Sequence, residues 1–219
     1  MSATASVQAY IQRQPRLAWR RYLLRFLIRT LGYRVLWKVD VRGMDNIPAT
    51  GSTILMMNHI SGIDPVLCMG AATHRYVIPM TKIENAQHPI LGAFVRWYGA
   101  YTVSRGEVDR SALMNSIELL RSGQLILIAP EGTRSPEGLI EPKDGLTYVA
   151  TKADAVIVPT AISGAVGWED KLKHLKRAHV RVDFGKPFKF KTNGNTRIPR
   201  DELALMTQEA MYQLALTLP

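Results

Sequence analysis

Residues 53–65 run Thr-Ile-Leu-Met-Met-Asn-His-Ile-Ser-Gly-Ile-Asp-Pro. The apolar run Thr53–Met57 has the composition of a strand buried on both faces, and the polar pair Asn58-His59 ends it. Ser61-Gly62 supplies a turn, and Asp64-Pro65 has the form of an N-cap followed by a first helical residue, so a helix is expected from Pro65. The same alternation repeats along the chain. Short runs rich in β-branched residues are expected as strands at Arg75–Pro79, Ala100–Val103, Gln124–Ala129, Val156–Ala161 and His179–Phe184, and Val35–Arg42 alternates with period two. Helical spacing marks Arg110–Arg121, closed by Gly123, and Glu202–Leu216. Continuous apolar strands separated by helices predict a single α/β domain with a mixed, largely parallel sheet covered by helices on both faces.

Composition narrows the function. A chain of 219 residues with 47% apolar content is the size of one domain and buries an ample core. Cys68 is the only cysteine, which excludes an internal disulfide and a paired-cysteine zinc site and fits a reducing compartment. No run approaches the roughly 20 apolar residues that span a bilayer. The net charge of +10 is concentrated: residues 1–42 hold nine basic residues against Asp40 alone, and residues 171–191 hold eight against Asp183 alone. Such clusters suit an anionic surface, either phospholipid headgroups or nucleic acid. With aromatic content at 8% and no helix-turn-helix, zinc finger or stacking platform, no nucleic-acid partner is expected.

Arg16–Leu31 reads as a basic amphipathic helix, with Trp19, Tyr22, Leu23 and Phe26 in one arc and Arg21, Arg25 and Arg29 in an i, i+4 stripe beside it. In a membrane interface the rings would sit at headgroup depth and the guanidinium groups would reach phosphates. The alternative is a surface helix packed on its own domain.

In open α/β sheets ligands gather beyond the carboxyl ends of strands, which directs attention to three polar segments. His59 and Asp64 have the parts of a general base and its orienting carboxylate, provided that a turn rather than a straight helix separates them. Asp64 alone is also explained as a helix cap. Pro130-Glu131-Gly132-Thr133-Arg134-Ser135 offers a planar cation, a hydroxyl and a glycine-opened backbone, the composition of an oxyanion site or of an ordinary solvated turn. Lys82 and Arg105 each follow an expected strand and can converge on the same anion or lie free at the surface. Cys68 reads as a small buried hydrophobe.

Taken together, Asn58-His59-xxxx-Asp64 and Glu131-Gly132-Thr133-Arg134-Ser135 resemble the glycerolipid acyltransferases, most closely the 1-acyl-sn-glycerol-3-phosphate acyltransferases. Lys82, Pro89, Gly92, Gly99 and Arg105 resemble that family's second block, and Ile157-Val158-Pro159-Thr160 its fourth. Ala129 stands where members often carry an aromatic residue, and the second block ends in Tyr101-Thr102-Val103-Ser104-Arg105, which departs from the usual aromatic-aliphatic-aspartate run.

The resemblance implies transfer of an acyl chain from acyl-CoA or acyl carrier protein to the sn-2 hydroxyl of lysophosphatidic acid. Its alternative is another glycerophosphate or lysolipid acceptor. His59 would deprotonate the hydroxyl and Asp64 would support the imidazole. Arg134, Lys82 and Arg105 would hold the acceptor's phosphate, while Glu131, Gly132 and Thr133 would shape the pocket. No metal or other cofactor is implied. The expected arrangement is a basic interfacial region over residues 1–34, including Trp19, Arg21, Tyr22, Arg25, Phe26 and Arg29, and an acyltransferase domain over 35–219, held at the cytoplasmic face of a membrane as a peripheral protein. The cluster Lys171–Arg177 would meet either the anionic membrane surface or the phosphates of coenzyme A.

Overall fold

The computed structural model describes residues 3–103, 109–192 and 198–219. Seven strands form one sheet: β1 Trp37–Arg42, β2 Thr53–Met57, β3 Val77–Lys82, β4 Tyr101–Val103, β5 Leu125–Ile128, β6 Val156–Ser163 and β7 Ala178–Phe184. Their order is β1-β7-β6-β2-β5-β3-β4. Strands β6, β2, β5, β3 and β4 run parallel, β7 is antiparallel to β6, and β1 is parallel to β7. The helices are α1 Ala3–Arg13, α2 Ala18–Leu27, α3 Asp64–Ala71, α4 Ile83–Gln87, α5 Pro89–Tyr98, α6 Arg110–Arg121, α7 Gly145–Ala153, α8 Trp168–Lys173 and α9 Arg200–Thr217.

Alternation along the central strands divides the core into two layers. Leu55, Met57, Leu125 and Leu127 point to one face with Leu67 and Cys68 of α3 and Tyr98 of α5. Ile54, Met56, Ile126 and Ile128 point to the other with Ile117 and Leu120 of α6, Val149 of α7 and Leu214 of α9. Burial on both sides is why these strands read as unbroken apolar runs. Strand β3 runs three residues past the expected Pro79, because Met80–Lys82 pair with Tyr101–Val103 of the edge strand. Helix α3 begins one residue before the expected Pro65.

The N-terminal region corrects one expectation. In place of a single helix over Arg16–Leu31, a 3₁₀ turn at Gln14–Leu17 leads into α2, which widens into a π-helical segment at Ile28–Leu36. The arginine stripe faces the protein. Arg21, only 2% exposed, donates from Nε to the Tyr98 carbonyl at 3.2 Å. Arg25 donates to the Ala72 carbonyl at 3.4 Å and Arg29 to that of Gly70 at 3.1 Å. These carbonyls lie at the ends of α5 and α3, where a helix leaves carbonyls unpaired at its negative pole. Arg21, Arg25 and Arg29 are thus tied to the domain, Arg21 buried, Arg25 half-buried and Arg29 still exposed. Trp19, Tyr22, Leu23, Phe26, Leu27, Leu31 and Val35 are left exposed.

Candidate active site

The strand registers assemble the site. Thr53 and Val77 both pair with Leu125, so β2, β5 and β3 run in register and the segments that follow their carboxyl ends lie at one end of the sheet. Asn58 fastens the end of β2 to β6: its amide donates to the Ile162 carbonyl at 2.9 Å, and its side-chain oxygen accepts from Ile162 N–H at 2.7 Å. Asn58 is buried, and this two-way bond to backbone is the reason that a polar residue can end a buried strand.

His59 is fixed through both its backbone and its ring. Its N–H donates to Glu131 Oε2 at 3.0 Å, and its carbonyl accepts from Ser135 N–H at 2.7 Å, so the loops after β2 and β5 are joined at this residue. Its Nδ1 lies 3.0 Å from Asp64 Oδ2. The turn demanded by the five-residue spacing is present, and Asp64 builds it: the same Oδ2 accepts from Ile60 N–H and Ser61 N–H, each at 2.7 Å. Asp64 is fully buried in the first turn of α3, yet its carboxylate reaches back to the loop and makes no cap bond to the helix. The capping explanation therefore fails, and the orienting one has the required geometry. With Nδ1 engaged, Nε2 is the ring nitrogen available to a substrate.

Glu131 lies beneath this arrangement. It is buried, with Oε2 on His59 N–H and Oε1 accepting from Ile140 N–H at 3.3 Å. Burial raises its carboxyl above the ordinary glutamate range, against the lowering effect of these two amide donors. Through these two bonds Glu131 joins the backbone of His59 to that of Ile140. Gly132 has φ of 68°, and a Cβ there would lie 3.3 Å from Cδ and Cε of Lys143 and 3.5 Å from Nζ. The turn conformation and the approach of that side chain both call for glycine.

Arg134 is exposed, and a Cβ at Gly62 would lie 3.6 Å from its Nη1, which places the guanidinium directly over the His59–Asp64 loop. Thr133 is exposed beside it, and Lys82 stands half-buried at the end of β3. Lys143 was not singled out from the sequence. The signal lay in Pro142-Lys143-Asp144-Gly145, a turn into α7, whose bond from Lys143 N–H to the Pro130 carbonyl at 2.9 Å brings the lysine back over the loop. Arg105 lies outside the described residues. Cys68 is buried, and burial pushes its thiol pKa up, which suits a core residue and not a nucleophile.

The model of the acyltransferase family matches residues 38–163. A 1-acyl-sn-glycerol-3-phosphate acyltransferase of Bacillus subtilis is 28% identical over 150 residues, covering 68% of this chain and 73% of that protein. A protein of the same description from Borreliella burgdorferi is 26% identical over 176 residues, 76% of this chain and 70% of its own length. Of the chloroplastic relative BAT2 of Brassica napus, 28% identical over 162 residues, the chain spans 45%. Among solved structures, the 1-acyl-sn-glycerophosphate acyltransferase PlsC of Thermotoga maritima superposes with a TM-score of 0.65 over 92% of this chain and 81% of that one. At 22% identity this likeness concerns the fold.

Proposed function

Because the chain belongs to the acyltransferase family, we propose that it transfers an acyl group to the sn-2 hydroxyl of lysophosphatidic acid, giving phosphatidic acid, with His59 as general base and Asp64 as its positioning partner. The observation that carries this is the His59 Nδ1 to Asp64 Oδ2 bond of 3.0 Å at the carboxyl end of β2, with a cation over the same loop.

The donor is a thioester of coenzyme A or acyl carrier protein. His59 Nε2 takes the proton of the acceptor hydroxyl as its oxygen attacks the thioester carbonyl carbon. A carbon–oxygen bond forms, the tetrahedral intermediate collapses with cleavage of the carbon–sulfur bond, and the imidazolium returns the proton to the departing thiolate. Asp64 favours the tautomer with its proton on Nδ1 and stabilises the positive ring. The acceptor supplies the nucleophile, so no protein nucleophile is needed.

The oxyanion requires N–H groups with no other duty. Those of Ile60 and Ser61 are committed to Asp64, and that of Ser135 to the His59 carbonyl. The amides of Gly62, Thr133 and Arg134 are donors of the two loops that carry no such duty. Arg134, Lys82 and Lys143 meet the acceptor's phosphate, the planar fork of Arg134 in the bidentate manner that suits a monoester. The described residues contain no helix long and apolar enough to cross a bilayer. Exposed Trp19, Tyr22, Phe26 and Leu31, continued by Leu91 and Phe94 of α5, form the apolar face by which the enzyme meets the membrane that holds its acceptor.

The test is thiol release from oleoyl-CoA by purified protein in mixed micelles, with and without lysophosphatidic acid, beside His59→Ala. Acceptor-dependent release that disappears in the variant, with phosphatidic acid recovered, is expected. Equal release by the variant would overturn the role of His59. Acylation of a phosphate-free monoacylglycerol in preference to lysophosphatidic acid would overturn the acceptor.

A further inference from the structure

We infer that the turn between α8 and β7, tipped by Leu175, is a second membrane contact, separate from the N-terminal apolar face, which inserts one side chain between the headgroups of an anionic bilayer. This rests on the membrane-surface reading above and adds a site to it.

The turn is a Schellman motif: Lys176 N–H donates to the Lys171 carbonyl at 2.8 Å, and Leu175 N–H to that of Leu172 at 2.9 Å. The motif puts the residue after the helix cap in the left-handed region, where glycine is usual. Leu175 occupies that place with φ of 55°. A side chain there meets the following carbonyl, a strain that a core residue recovers by packing. Leu175 packs on nothing among the described residues, being 95% exposed. The apolar contact that commonly closes this motif is absent as well, because the two positions that would make it are Lys171 and Lys176. A strained leucine with no packing partner, bracketed by cations, is satisfied by an environment that is apolar at its tip and anionic at its rim.

Charge and position agree on the partner. Lys173 is paired with Asp170 at 2.8 Å, whereas Lys171 and Lys176 are exposed without an acidic partner among the described residues. Flanking cations beside an inserted apolar group are complementary to phospholipid headgroups. The turn follows the carboxyl end of β6 and precedes antiparallel β7, so it lies at the end of the sheet that carries His59. Arg177 donates to the Arg34 carbonyl at 2.6 Å, which ties the turn to the segment carrying exposed Leu31 and Val35. Two contacts on either side of that junction would fix how the active-site end faces the bilayer.

The experiment is sedimentation of the full-length protein with vesicles of phosphatidylglycerol and phosphatidylcholine, across Leu175→Gly, Leu175→Phe, Lys171→Glu/Lys176→Glu and Phe26→Glu. Leu175→Gly is expected to weaken partition at least about tenfold, as loss of one inserted leucine requires. Its Tm is expected to equal that of the parent or exceed it by about 2–4 °C, since glycine relieves the strain. Leu175→Phe retains binding, and the double charge reversal weakens binding to anionic vesicles alone. Partition of Leu175→Gly within twofold of the parent, while Phe26→Glu loses binding, would overturn this proposal and leave the membrane-surface reading standing. No vesicle binding by the parent would overturn both. A raised KM for acyl-CoA in the charge-reversal variant, with partition unchanged, would overturn it in favour of the donor's phosphates.

Discussion

Replacing Asp64 by asparagine separates the loop-shaping role that the structure gives this residue from the electrostatic role proposed for it. The side-chain oxygen of asparagine can still accept from Ile60 N–H and Ser61 N–H, the bonds of 2.7 Å that shape the loop. What it cannot supply is the charge opposite the ring, which in the proposed mechanism becomes an imidazolium as it takes the proton of the attacking hydroxyl. With Nδ1 and Oδ2 at 3.0 Å, the charge centres lie about 4 Å apart, and at an effective dielectric of about 20 their attraction is about 4 kcal/mol. In the proposed mechanism the ring takes up its charge as the reaction proceeds, so that loss falls on the transition state, and kcat should drop about a thousandfold with KM changed less than about threefold. Exchanging charge-assisted bonds for neutral ones should lower folding stability by only about 1–2 kcal/mol. The assay is acceptor-dependent thiol release, with urea unfolding as the control. A kcat within tenfold of the parent would refute the electrostatic role, and an unfolded variant would show that Asp64 serves the loop first.

Three further outcomes follow from the site and its supports. Arg134→Ala should raise the KM for lysophosphatidic acid by about 10- to 100-fold and Lys143→Ala by less, at unchanged KM for the donor; equal effects on a monoacylglycerol lacking phosphate would refute both assignments. Glu131 has its carboxyl raised by burial, so as pH rises above the ordinary value of 4.5 the unfolded chain releases this proton before the folded one does, and stability falls through that window. Urea midpoints should therefore show the stability of the parent relative to Glu131→Gln declining between pH 4 and pH 7, and a difference that grows with pH would contradict this sign. Arg21→Ala removes the buried guanidinium from the Tyr98 and Gly99 carbonyls and should destabilise by about 2–4 kcal/mol, seen in thermal unfolding, while the activity of the folded fraction persists.

The parts of this protein legible in the sequence are those in which one residue type has one common use. Apolar runs buried on both faces gave β2, β5 and β6 to within a residue or two, and the pairing of His59 with Asp64 followed from the turn-forming Ser61-Gly62 between them. What was not legible depends on contacts distant in the chain. Strand β3 reaches Lys82 only because β4 extends alongside it. The place of Glu131 under His59 comes from a bond across 72 residues, and Lys143 joins the site through the Pro130 carbonyl. Helix α1 passed unremarked although Val7, Tyr10 and Ile11 stand at helical spacing; Tyr10 and Ile11 pack on a layer built by α6 and the sheet.

The two basic segments show why a count of charges does not say where they act. In α2 and the segment after it, Arg21, Arg25 and Arg29 donate to carbonyls at the ends of α5 and α3, while the rings of Trp19, Tyr22 and Phe26 are exposed. The carbonyl ends of α5 and α3 hold these cations, and the exposed rings and aliphatic side chains beside them form an apolar face. In the turn after α8, by contrast, Lys171 and Lys176 are exposed to solvent. On the proposed membrane reading, attachment divides by mechanism: the N-terminal face would contribute through buried apolar area, which salt hardly affects, and the turn through Leu175 and through exposed charge, the latter screened by salt within about 10 Å at 0.1 M. Raising ionic strength should accordingly abolish the difference between the parent and Lys171→Glu/Lys176→Glu in vesicle partition while leaving intact the deficit of Phe26→Glu, and a Phe26→Glu deficit that salt erased would place the working charges back in α2.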